Sequence, residues 1–190
     1  MTNPVGILLA AGSSTRFGTD KLLHPLPDGV AICIASATTL IQALPNSIAV
    51  VKPGDQLLIN AFTKLGIKVI ENPRAHEGMG TSLAAGVNAT SNASGWLIAL
   101  ADMPKIKPAT ICALAKKLNN GASIVAPVFK SQRGHPVGFS SYWREQLQAL
   151  TGDKGARDLI TKNLYELELL MTEDAGVLQD IDYLRDVKNY

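Results

Sequence analysis

The residues best suited to chemistry in this chain are two cations and a few carboxylates, each set just beyond an aliphatic run. In "ILLAAGSSTRFGTDKLL", residues 7 to 23, the apolar run breaks into small residues and then offers Arg16 and Lys21. Small residues let backbone N–H groups close on an anion without side chains intervening. Arg16 could then grip a phosphate through two parallel hydrogen bonds, with Lys21 adding a point charge. A Gly/Ser turn carrying two solvated cations fits the same letters, and composition does not choose between the two. The stretch contains neither GxxxxGK[ST] nor GxGxxG, so it is not a P-loop or a dinucleotide fingerprint.

The carboxylates raise a similar choice. "WLIALADMPKI" (96–106) ends a hydrophobic strand in Asp102, at the rim where open parallel sheets bind ligands. There Asp102 suits a divalent cation, since Mg²⁺ takes one or two carboxylates plus phosphate oxygens. It equally suits a cap on the turn that Pro104 fixes. "QDIDYLRD" (179–186) offers Asp182 as a second ligand from far along the chain, or as an N-cap for a terminal helix. In "ENPRAHEGMGTSLAAGV" (71–87) a Gly-rich loop opens a helix whose first turn presents Thr81 and Ser82 to a ligand. His76 and His24 read as loop histidines without a role, and His135, between Gly134 and Pro136, reads as tightly packed backbone.

The elements that must position these residues alternate. Strands are predicted at 4–10, 47–52, 67–70, 95–101 and 122–127, with helices near 35–44, 55–65, 80–90 and 108–119 between them. Continuous apolar strands suit a parallel sheet covered on both faces, so the fold class is α/β: a three-layer, doubly wound, mostly parallel sheet. Beyond residue 128 come a strand over 133–140 containing Pro136, hence an edge or bent strand. A helix in "SYWREQLQAL", a loop and short helix in "GDKGARDLITKN", a strand in "LYELEL" and a terminal helix in "IDYLRDVKN" follow. No repeat or linker divides residues 1–190, so one domain is expected.

Composition narrows the function. With 46% hydrophobic and 18% charged residues the 190-residue chain can bury a core, and a net charge of +2 without basic runs argues against nucleic acid. Cys33 and Cys112 lie in apolar segments and read as buried thiols of a reducing compartment. With no charged leader and no long apolar run, the reading is cytoplasmic and not membrane-bound. No GxSxG elbow, paired zinc ligands or activated cysteine is present. What remains is phosphate, metal and positioning.

Taken in order, "LLAAGSSTRFGTDKLL", "ENPRAHEGMGTSLAAGV", "ALADMP", "RGHPVGF", "GDKGARDLI" and the late "DID" resemble the MobA-like nucleotidyltransferases, and among them the molybdenum cofactor cytidylyltransferases. The resemblance spans about residues 5 to 187 and implies a Rossmann-like nucleotidyltransferase fold. It implies that Leu9, Ala10, Ala11, Gly12 and Ser13 bind the nucleotide, that Arg16 and Lys21 neutralise its phosphates, and that Lys21 lies nearest the reacting phosphoryl group. It implies Asp102 and Asp182 as Mg²⁺ ligands, Arg16, Lys21 and Asp102 as the catalytic set, and Gly78, Gly80 and Ser82 beside base and ribose. Ala11 in LAAG points to CTP over GTP as donor. The acceptor implied is the phosphate of molybdopterin, the molybdenum cofactor, bordered by "RGHPVGF" and the "GDKGAR" loop, with a molybdoenzyme receiving the product. The chain departs from the family where "DIDYLRD" replaces the common "DIDTPED", and across residues 26–42.

Overall fold

The computed structural model describes residues 4–12, 17 and 21–188. Strands β1 (Val5–Leu9), β2 (Ile48–Val51), β3 (Lys68–Glu71) and β4 (Gly95–Leu100) pair in parallel in the order β3-β2-β1-β4. They are joined by helices α1 (Ile32–Ala43), α2 (Gln56–Lys64) and α3 (Met79–Ala89). After α4 (Pro108–Asn119) come β5 (Ile124–Phe129), β6 (Gln132–Arg133) and β7 (Val137–Ser140). Here β7 inserts antiparallel between β4 and β5, β6 continues along the same edge of β5, and β8 (Leu167–Met171) pairs in parallel on its other edge. Short helices α5 (Arg144–Gln148), α6 (Arg157–Lys162) and α7 (Leu184–Lys188) complete the described chain. The α/β, mostly parallel sheet flanked by helices is the expected architecture.

Its layers follow from the period of two in the strands. On β1, Leu8 joins one core with α1, α2 and α4, while Ile7 and Leu9 join a second core with α3, α5 and α6. β4 alternates likewise, with Leu97 and Ala99 on one face and Trp96 and Ile98 on the other. Both faces are covered, which explains the unbroken apolar runs. A smaller cluster packs Phe17, Leu26 and Ile32, on either side of Lys21 in the chain, against Ile181 and Val187 of the C-terminal segment.

Several local expectations are corrected. The 133–140 strand is split at Gly134–His135–Pro136, and its second half lies inside the sheet rather than at an edge; Pro136 falls in the break, outside the two paired segments. α1 starts at Ile32, three residues earlier than its apolar pattern suggests, because its N-cap Ala31 offers no side-chain signal. In "LYELEL" the first three residues form a 3₁₀ turn, and β8 begins only at Leu167. Cys33 is buried, but Cys112 faces outward from α4.

Candidate active site

The cleft lies beyond the carboxyl ends of β1, β2 and β4, has a volume of about 830 Å³, and is lined by Leu9, Ala10, Ala11, Gly12, Lys21, Gly78, Ser82 and Asp102. The ladder extends one residue past β1 and β4, since Ala10 N–H donates to the Val50 carbonyl at 2.9 Å and Ala101 N–H to that of Leu9 at 3.1 Å. Gly12 is exposed, with open space where a side chain would stand. Ser13 and Arg16 lie outside the described residues.

Lys21 is the centre of the arrangement. It opens a short 3₁₀ turn, Lys21–Leu23, and its Nζ lies 2.7 Å from Asp102 Oδ2 and 3.1 Å from Asp182 Oδ1. These three groups are separated by 81 and 161 residues along the chain. Burial opposes the charge on Lys21, but hydrogen bonds and charges from Asp102 and Asp182 more than offset it and hold its pKa above the ordinary value. The Asp102 carboxylate is thus spent on the lysine, not on capping the turn at Pro104.

Asp182 is not the N-cap of α7 either. Asp186 Oδ2 accepts the backbone N–H groups of Asp182 and Tyr183 at 3.0 and 2.7 Å, reaching back as the third residue of a capping box does. The Ile181 N–H meanwhile donates to the Asp102 carbonyl at 2.9 Å. One acid's backbone therefore sets the other's position. Two hard carboxylates within 3.1 Å of a single cationic nitrogen form a donor set that fits a divalent ion sharing phosphate oxygens. Among the described residues no group of three or more His, Cys, Asp or Glu could hold a metal without such help.

The opposite wall is the 72–82 loop. Buried Asn72 donates from Nδ2 to Thr81 Oγ1 and Ser82 Oγ, both at 3.0 Å, and its Oδ1 accepts from Arg74 N–H at 3.0 Å. The Ser82 hydroxyl is thereby fixed at the cleft wall. Gly78 adopts φ +112°, and a Cβ there would collide with Asp153 and Gly152. At Gly80 a Cβ would meet the Thr151 carbonyl oxygen at 2.6 Å, and Gly80 N–H donates to the Gly152 carbonyl at 2.8 Å. Gly80 is buried and does not line the cleft; its bare backbone lets the 151–153 loop dock beneath Ser82. Asn72, Lys52, Met79 and Asp153 carry no motif of their own in the sequence, although Lys52, Met79 and Asp153 line the cleft.

The histidines divide. His24 stacks edge-on to Phe17 with ring centroids 5.3 Å apart, and His76 lines the cleft. His135 has a buried Nδ1 without a hydrogen-bond partner among the described residues, and its backbone N–H donates to the Val177 carbonyl. Burial lowers its pKa; Asp102 and a hydrogen bond to the Ile98 backbone oppose this, while Arg133 and Arg157 add to it.

Known proteins resemble this chain in sequence and in fold. Residues 6–167 match the family model of the MobA-like NTP transferase domain. The chain belongs to that family. Among curated relatives of this MobA-like chain, the purine catabolism protein PucB of Bacillus subtilis is 29% identical over 94% of this chain and 91% of its own. Nicotine blue oxidoreductase of Paenarthrobacter nicotinovorans is 26% identical over 93% and 91%. A probable molybdenum cofactor guanylyltransferase of Chloroflexus aggregans is 32% identical, over 58% and 51%. Among solved structures, a Mycobacterium tuberculosis protein crystallised with manganese superimposes with a TM-score of 0.80 at 26% identity, over 99% of this chain and 97% of that one. A nucleotidyltransferase of the MobA-like family is what these likenesses support.

Proposed function

We propose that this nucleotidyltransferase moves a cytidylyl group from CTP to the phosphate of molybdopterin, releasing pyrophosphate. The observation that carries the reading is the meeting of Lys21 and Asp102, which line the cleft with residues 9–12, with Asp182 from far along the chain. A lysine next to a small-residue loop suits a triphosphate, and paired acids suit the divalent ion that accompanies one. The LAAG sequence supports cytidine, the curated molybdenum cofactor relative supports the acceptor, and the manganese complex supports a divalent cation.

In this reading the triphosphate lies against the backbone of Ala11, Gly12 and Ser13, with Arg16 and Lys21 on its oxygens. Asp102 and Asp182 would hold Mg²⁺, which supplies neutralisation of the triphosphate charge. Gly78 and Ser82 border base and ribose, with Gly80 setting the loop behind them. The acceptor phosphate is ionised near neutral pH, so no side chain has to remove a proton from it. The chain's contribution is to hold the two phosphates in line and to place Lys21 where charge develops on the leaving pyrophosphate. The expected product reaches a molybdoenzyme.

The test is pyrophosphate release with purified molybdopterin and either CTP or GTP, in Mg²⁺ and after chelation. Release with CTP alone supports the proposal in full. GTP dependence would move the donor assignment, and release only with another phosphate acceptor would move the acceptor. The likeness to nicotine blue oxidoreductase favours a second reading, in which the cleft serves an oxidoreduction. Turnover of a redox substrate without any pyrophosphate would favour it, and a chain that binds molybdenum cofactor with neither activity would be a carrier.

A further inference from the structure

We infer that Lys21 stands in the place of the metal between Asp102 and Asp182, and that it must leave before the ion can enter, which makes metal and nucleotide binding mutually dependent. This rests on the nucleotidyl-transfer reading above. The Lys21 side chain is only 11% exposed and both its acid partners are within 3.1 Å. An ion arriving alone has two routes. It can push the ammonium into a cleft whose other lining carboxylate, among the described residues, is Asp153, so that a shielded cation trades two partners for at most one. Alternatively it can share the acids with the ammonium against like-charge repulsion.

A triphosphate removes both obstacles. Its oxygens lie on the 9–12 side of the same cleft, so Lys21 exchanges two carboxylates for phosphate oxygens while the acids are released to the ion. The exchange keeps every charge partnered. By linkage, nucleotide then tightens metal and metal tightens nucleotide by the same factor. In the absence of nucleotide, Lys21 keeps the two acids from repelling each other and holds the terminal segment against the sheet. Lys52 provides a control, because it lines the same cleft and makes no ion pair among the described residues.

The experiment titrates nucleotide-free protein with Mn²⁺, following free ion by electron paramagnetic resonance, in wild type, K21M, K52M and K21M/D102N. K21M is expected to bind Mn²⁺ about tenfold tighter than wild type or more, within the usual range of site-to-site coupling, with K52M within about twofold of wild type. The double variant is expected to lose the gain. Equal affinity of K21M and wild type, or an equal gain in K52M, overturns the exchange. K21M/D102N keeping the tight site, or wild type failing to bind CTP at all, instead overturns the nucleotidyl-transfer reading. A second measurement needs no charge-removing variant. The Lys21 side-chain ¹⁵N resonance of the wild type, assigned by its loss in K21R, should stay put with Mg²⁺ alone and shift when Mg²⁺ and CTP are added together. A shift with Mg²⁺ alone, or none with both, contradicts the proposal.

Discussion

The sheet end that carries Asp102 and the terminal return that carries Asp182 meet at one ammonium, yet very different amounts of structure hold them there. Asp102 follows a strand paired on both sides, by β1 and β7, and its neighbours Ala101 and Met103 are buried. The Ala101 carbonyl is held by Ser36 Oγ at 2.9 Å and its N–H by Leu9. Among the described residues, the segment carrying Asp182 is tied by the Ile181 N–H to the Asp102 carbonyl, by the Asp186 cap, by the Lys21 ion pair and by a small cluster through Ile181 and Val187. The first acid is therefore part of the scaffold. The second is delivered to it.

That contrast orders the effects of substitution. Asp102→Asn is expected to cut nucleotidyl transfer by about a hundredfold or more, the scale for removing a positioned electrostatic group, measured as pyrophosphate release. Asp182→Asn should cost less, about tenfold, because Asp182 is carried by a short return ahead of α7 and not by a strand paired on both sides. A loss from Asp182→Asn as large as that from Asp102→Asn would mean the terminal return is as rigid as the sheet.

Next in size are changes to the supports. Asn72→Ala strips two buried hydrogen bonds to Thr81 and Ser82 and a partly buried one from Arg74 N–H, and is expected to cost about 1–3 kcal/mol in thermal or denaturant unfolding, with KM for the nucleotide rising. Unchanged stability would show that the 72–82 loop holds itself. Asp186→Ala removes the acceptor for two N–H groups at the start of α7, which is worth about 1 kcal/mol at most sites of this kind. Its melting temperature should fall by only about 2–4 °C while Mn²⁺ affinity in the presence of CTP falls, since the acid it positions is local.

The smallest effect is one of pH. Burial lowers the pKa of His135 below its ordinary 6.5, so the unfolded chain takes up this proton at higher pH than the folded one. The His135 contribution to stability is complete above about 6.5 and declines as pH falls towards the folded value. Unfolding free energies from pH 7.5 to 5.5 should therefore slope more steeply in wild type than in His135→Gln. Parallel slopes would mean that His135 is as free to charge in the fold as outside it.

The comparison also marks what could be read from the chain alone. The apolar runs of β1 and β4 announce buried parallel strands, and the small residues and charges just past them announce a ligand rim, so Lys21 and Asp102 are visible as types at the right ends of elements. Asp182 is visible only as a candidate, because an acid ahead of a helix has the same letters whether it caps or ligates. The cap falls to Asp186, and that is decided by a hydrogen bond which spacing does not encode. Gly80 shows the limit in another way. A glycine beside a ligand loop suggests close approach of ligand, but the backbone it admits is Thr151 and Gly152, some seventy residues on. Asn72 carried no signal beyond standing before Pro73 at a strand end, since its importance lies in which hydroxyls surround it after folding. Cys112 is exposed although its segment is apolar, because its apolar neighbours turn inward on α4 while it faces out.

The most direct test is anomalous diffraction from crystals grown with Mn²⁺ and CTP. The account expects one manganese peak within ligand distance of both Asp102 and Asp182, with the Lys21 ammonium on phosphate oxygens and no longer between the acids. A peak bound elsewhere, or a nucleotide seated with Lys21 still bridging the two carboxylates, would contradict it.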